Sequence, residues 1–76
     1  MKEEIIEILS GIRPNVDFTA DQQLIDDGVL DSFDIISLAN ELMETYGVHI
    51  DAGELVPENF NTPDDIAAMV DRLLNE

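Results

Sequence analysis

Cysteine is absent from the 76 residues, and histidine occurs once, at His49. Disulfides and thiolate metal sites are therefore excluded, and so is any multi-histidine metal site. Basic residues are nearly absent as well. Three lysines and arginines face 18 aspartates and glutamates, for a formal net charge of −15. Contact with a nucleic-acid backbone or an anionic lipid surface is strongly disfavoured at that charge. Expected partners are proteins with basic patches, or cations. Long apolar runs are missing too. The start, Met-Lys-Glu-Glu, has neither the apolar run of a signal peptide nor the length of a membrane span. The expectation is a soluble cytoplasmic protein that does not insert into a membrane.

What is present is enough for one domain, residues 1–76. A chain this short buries roughly 60% of the surface its unfolded form exposes, so its stability is modest. It is too small to build both a core and a deep private active site. Acidic composition often accompanies disorder, but disorder also needs few apolar residues. Here 45% of residues are apolar, which points to a folded acidic domain, expected as a monomer. Self-repulsion makes such a chain sensitive to salt.

The apolar residues recur at helical spacing. Ile5, Ile8, Leu9 and Ile12 gather on one face of a helix over residues 3 to 12, which Gly11 weakens and Pro14 ends. Residues 15 to 31 form a long connection that holds Phe18, Leu24, Ile25, Val29 and Leu30. That is too much apolar surface for a free loop, so the segment is expected to lie across the other elements. A second helix runs from about Ser32 to Tyr46 and stops at Gly47. A short helix is expected near residues 54 to 59, and a strand over 46 to 50 would have no partner. Thr62 is the expected N-cap of the last helix, with Pro63 at its first position and Asp64 and Asp65 at the positive end of its dipole. Ile66, Met69, Val70 and Leu73 form its apolar stripe. The fold class is all-α: a small four-helix bundle of three main helices and one short one.

The second helix is informative when turned face by face at about 100° per residue. Ile35, Leu38, Ala39, Leu42 and Tyr46 share a core face. Asp34, Ser37, Glu41 and Glu44 lie opposite, as a solvated acidic face. Phe33 falls on that polar side, near Asn40 and Glu44, while Ile36 and Met43 flank the core face close to Ser32. The pattern predicts a partly exposed apolar strip bordered by carboxylates and beginning beside Ser32. Such a strip suits docking onto a basic, apolar partner surface, with charge guiding the encounter and apolar residues supplying the burial.

Ser32 follows Asp31, and both are strong N-cap residues, so either can start the helix. Ser32 has no histidine or lysine nearby in sequence and no marked oxyanion hole, so it is not a catalytic serine of the usual kind. A reaction at Ser32 needs another protein's machinery. The clustered carboxylates raise the question of calcium. Aligning the glycine of a calcium loop on Gly28 puts Gln23, Ile25 and Asp27 at the first three ligand positions, and aligning it on Gly53 puts Val48, Ile50 and Ala52 there. Neither is a credible loop, and no dedicated metal site is expected.

Gly28-Val29-Leu30-Asp31-Ser32, at the start of a helix in a small and very acidic helical chain, resembles the acyl carrier protein family. The resemblance covers essentially the whole chain, including "ELVPENF" and "NTPDDI". It implies a four-helix bundle in which Ser32 carries a covalent 4'-phosphopantetheine arm drawn from coenzyme A. It also implies that Asp31 helps to recruit the modifying synthase and its magnesium. Phe33 stands where the family most often has leucine. Ile36 falls at a usual partner-contact position, Ser37 where many fatty-acid carriers have glutamate, and Asn40 where they often have methionine. The expected partner-recognition residues are Asp31, Phe33, Asp34, Ile36, Asn40, Glu41, Met43 and Glu44. The "GVLDS" form looks more like D-alanyl and other stand-alone carriers.

The function implied is that of a non-catalytic carrier, which holds acyl or aminoacyl groups as a thioester on the arm and delivers them to partner enzymes. Its partners would be a phosphopantetheinyl transferase, a loading ligase, and acyltransferases or synthases with basic docking patches. Fatty acyl, polyketide, amino-acid and D-alanine systems use similar carriers. The alternative is an unmodified acidic interaction module that uses the Phe33/Ile36 strip. A core cavity beside Ala39, Ala67 or Ala68 would admit an acyl chain.

Overall fold

The computed structural model describes all 76 residues. Its elements are α1 (Lys2–Ile12), α2 (Ser32–Tyr46), α3 (Pro57–Phe60) and α4 (Pro63–Leu74), with a single 3-10 turn over Ala52–Glu54 before α3. The all-α bundle of three main helices and a short one is as expected, and no strand forms after Tyr46. The short helix expected near residues 54 to 59 is α3, set slightly later at Pro57–Phe60, with the 3-10 turn before it. Asp51 caps that turn by accepting from the Gly53 N–H at 3.0 Å. Pro57, which has no N–H to give, opens α3.

α1 contributes Ile5 and Leu9 to the core, with Ile6, Ile8 and Ile12 packed at its margin. It stops at Arg13, because Pro14 cannot continue the hydrogen-bond ladder. α2 ends where Gly47 takes a left-handed conformation (φ 69°, ψ 22°) and its N–H returns to the Met43 carbonyl. α4 starts as expected: Thr62 accepts from the Asp65 N–H at 3.0 Å, and Pro63 follows as the first helical residue. α1 packs against α2 and α4, and α3 against α4.

The core is one cluster of 13 buried apolar residues. The long connection supplies three of them, Phe18, Leu24 and Leu30, while Ile25 and Val29 pack against its edge. The connection therefore lies across the bundle, as its composition predicts. Asn61, between α3 and α4, fastens it there. The Asn61 carbonyl accepts from the Leu24 N–H at 2.7 Å, and its side-chain Oδ1 accepts from the N–H groups of Ile25 and Asp26 at 3.0 and 3.1 Å. Its Nδ2 donates to Asp26 Oδ2 at 3.2 Å. An amide with both an acceptor and a donor can close this bend with few backbone groups left unpaired. The connection then delivers the chain to Asp31.

Candidate functional site: the start of helix α2

Asp31, not Ser32, is the N-cap of α2. Its backbone is extended (φ −101°, ψ −177°), and its Oδ1 accepts from the Asp34 N–H at 2.9 Å. Asp34 Oδ2 in turn accepts from the Asp31 N–H at 3.1 Å, completing a reciprocal capping box. Ser32 is consequently the first helical residue. It is exposed, and its hydroxyl is released from capping. Capping consumes the Asp34 N–H, and the Ile35 N–H returns to the Asp31 carbonyl. The N–H groups of Ser32 and Phe33 lie before the helical ladder begins and donate to no protein acceptor.

Asp34 corrects an expectation. The helical wheel sets it on the solvated acidic face, but it is 9% exposed. Two things remove it from solvent. Its side chain folds back onto the cap, and Arg13 at the end of α1 closes over it. Arg13 Nε donates to Asp34 Oδ2 at 2.8 Å, and Arg13 Nη2 lies 2.7 Å from the same oxygen and 3.3 Å from Asp31 Oδ2. Burial pushes the Asp34 carboxyl upward. The Arg13 hydrogen bond, the Asp31 N–H and the guanidinium charge together outweigh burial and hold it below the usual carboxylate range. Asp34 therefore belongs to the helix start, and its carboxylate is turned away from solvent.

The other expected recognition residues divide. Phe33 is 82% exposed and Ile36 54% exposed, so the predicted apolar strip beside Ser32 exists. Asp31, Asn40, Glu41 and Glu44 are exposed as well. Met43 is half-buried and packs against the core, so it widens the core contact more than the strip. Two further apolar residues, Leu55 and Val56, are exposed in the segment between the 3-10 turn and α3. Leu55 joins Ser32, Ile35 and Ile36 around a cleft of about 200 Å³. No periodicity marks Leu55 in the sequence, because it lies in irregular chain. A larger hollow of about 390 Å³ lies between the start of α1, the long connection and the start of α4, and takes no residue from α2. Neither hollow is lined by Ala39, Ala67 or Ala68, the positions beside which a core cavity would admit an acyl chain: Ala39 is in the core and Ala68 faces out.

The family model described as "Phosphopantetheine attachment site" matches residues 3–70, a span that contains all of α2 and the cleft beside Ser32. The chain belongs to this carrier family. Members bear 4'-phosphopantetheine and act as non-catalytic carriers. This carrier is 33% identical over 78 aligned residues to the D-alanyl carrier protein of Lactococcus lactis subsp. cremoris (strain MG1363), covering 100% of this chain and 99% of that one. It is 28% identical over 75 residues to the D-alanyl carrier protein of Leuconostoc citreum (strain KM20), covering 97% and 96%. It is 31% identical over 64 residues to that of Bacillus cereus (strain B4264), covering 82% and 81%. No solved structure matches it significantly. No helix of the carrier is long and apolar enough to cross a membrane.

The residues at the start of α2 fit a phosphate-linked arm. Two unpartnered N–H groups at a helix N-terminus favour an anion. Arg13 offsets part of the repulsion from Asp31 and Asp34. The cleft offers an apolar wall next to the serine. Arg13 and Asn61 are the residues that sequence reasoning missed. The Asp31-x-x-Asp34 spacing is itself a capping-box signal that would have placed Asp34. For Asn61 no local signal exists.

Proposed function

We propose that Ser32 is the attachment point of the arm and that this carrier holds an aminoacyl or short acyl group on it. The observation that carries the reading is Ser32 at the first residue of α2, exposed and released from capping, inside the matched attachment-site region. When attached, 4'-phosphopantetheine supplies a terminal thiol, which this cysteine-free chain lacks, to hold cargo as a thioester.

The chain's own residues present and orient. Asp31 caps the start of the helix one residue before the serine, so that the serine oxygen is free to attack the diphosphate of coenzyme A within a separate transferase. The new Ser–O–P bond forms as the adenosine bisphosphate leaves, and the serine proton passes to the transferase. Ser32 and Phe33 offer N–H groups near the resulting phosphodiester. Ile35, Ile36 and Leu55 give an apolar wall on one side.

Cargo and partners follow from the same face. Several relatives are D-alanyl carrier proteins across nearly their whole length, which supports an aminoacyl cargo of that kind. The cleft beside Ser32 is small, about 200 Å³, and open, and this also favours a small cargo. Phe33 and Ile36, bordered by Glu41 and Glu44, suit loading and accepting enzymes that pair a basic rim with an apolar centre. A cytoplasmic monomer accords with the charge of −15, which opposes self-association.

The test is intact mass after incubation with coenzyme A and a broad-specificity phosphopantetheinyl transferase. The carrier gains one phosphopantetheinyl group, and Ser32→Ala gains none. No gain with several transferases would sink the reading. If modification succeeds, loading by a D-alanine-activating ligase against a fatty-acyl ligase decides the cargo class.

A further inference from the structure

The three cations of the chain serve 18 carboxylates, and each is committed to particular partners. Lys2 meets Asp64, joining the starts of α1 and α4. Arg72 meets Glu54 and Glu76. Arg13 is the one that lies at the start of α2, where it touches both aspartates of the capping box.

The focus of that contact is a single atom. Asp34 Oδ2 faces Arg13 Nε at 2.8 Å, Arg13 Nη2 at 2.7 Å and the Asp31 N–H at 3.1 Å. Asp31 divides its carboxylate: Oδ1 goes to the Asp34 N–H at 2.9 Å, and Oδ2 lies 3.3 Å from Arg13 Nη2. One guanidinium thus orients both aspartates. With an uncharged side chain of similar length in its place, the Asp34 side chain, 12% exposed beside Arg13, would be a largely covered charge held only by a neutral N–H. Such a group gains by turning out to water or by taking a proton, and turning out opens the capping box. The first turn of α2, and Ser32 with it, would then lose its fixed start. The charge beside the serine would also double, from one net negative to two, against an incoming diphosphate.

We propose that Arg13 is a positioning residue for the modification of Ser32: from the end of α1 it holds the Asp31–Asp34 box, and through it the serine, in the geometry a phosphopantetheinyl transferase uses. The inference rests on the carrier reading above. Arg13 does not touch the reacting atoms; it acts through the two aspartates.

The experiment is steady-state kinetics of phosphopantetheine transfer from coenzyme A to the full chain, with kcat and KM for the carrier measured separately. Arg13→Gln lowers kcat/KM about tenfold, with the loss falling on kcat because placement is disturbed and the exposed docking strip is not. Arg13→Lys keeps the charge but not the planar fork, and loses about threefold. Lys2→Gln makes the same charge change at the far end of α1 and stays at the wild-type value. Circular dichroism at the assay temperature confirms that each variant is folded, and Arg13→Lys keeps the test decisive if Arg13→Gln is not. Wild-type kinetics in a folded Arg13→Gln, or in Arg13→Lys where Arg13→Gln does not fold, overturns the proposal. An equal loss in Lys2→Gln does so too. Failure of the wild-type chain to be modified sinks the carrier reading instead.

Discussion

Asp31 and Asp34 cap each other's backbone across the first turn of α2, at 2.9 and 3.1 Å. Two like charges so close are normally unfavourable, and Arg13 between them makes the arrangement stable. The cap and the serine are thereby neighbouring but distinct residues. Asp31 satisfies the helix start, and Ser32 is left free for chemistry.

The division of labour gives opposite costs to adjacent substitutions. Asp31→Ala loses the cap and costs about 0.5–2 kcal/mol. Ser32→Ala changes an exposed residue with no capping role and stays within about 0.5 kcal/mol of wild type. Urea unfolding of both variants measures this. The reverse order would make Ser32 the cap.

Asn61 joins the long connection to the end of α3. Asn61→Ala strips the Ile25 and Asp26 N–H groups of their acceptor. A loss of about 1–3 kcal/mol is expected for partly buried groups left unpaired. Amide hydrogen exchange gives the sharper reading: protection at Ile25 and Asp26 falls, while that in α2 follows only the global change. Unaltered protection at both amides would remove Asn61 from this role.

Acid destabilises the fold through its paired carboxylates. Asp34, Asp17 and Glu54 all have folded-state pKa values below their ordinary ones, 3.8 for the aspartates and 4.5 for the glutamate. The causes differ. Asp34 is lowered by Arg13 and the Asp31 N–H against the opposing effect of burial, Asp17 by the Thr19 hydroxyl and N–H, and Glu54 by Arg72. The folded chain therefore binds fewer protons in acid than the unfolded chain, so stability rises with pH through this window. Each contribution is complete above the ordinary value and is lost as pH falls through the folded value. Asp34→Asn isolates one of them. The stability gap between wild type and Asp34→Asn is largest near neutrality and closes as pH falls below 3.8. A gap independent of pH would mean that the Asp34 charge contributes nothing.

Phe33 contributes contact and little stability. At 82% exposure, its replacement by alanine leaves unfolding within about 0.5 kcal/mol of wild type. Binding to a loading ligase or to the transferase weakens by roughly five- to thirtyfold, as for a buried aromatic anchor worth about 1–2 kcal/mol. Calorimetry or the carrier KM reports it. Undiminished affinity would place recognition elsewhere on the chain. Binding lost in Phe33→Ala but indifferent to Ser32→Ala, in a chain that no transferase modifies, would mark an interaction module instead.

The sequence by itself determined the helices, their ends and the presence of Ser32 at a helix start. Those features are written in short range: apolar residues at helical spacing, Pro14 and Gly47 as stops, Thr62-Pro63 as a start. The exposed Phe33 and Ile36 also followed from azimuth alone. The tertiary structure decided what lies on the other side of each face. Asp34 points away from the core on a helical wheel, yet the end of α1 brings Arg13, 21 residues earlier, over it. Asn61 reaches a backbone N–H 36 residues away. Leu55 lines the same cleft as Ile36 beside the serine because irregular chain returns there. Short-range periodicity reports how a segment is wound. Which carboxylate is buried, and which serine is left free, depends on contacts between residues too far apart in the chain for any local pattern to encode.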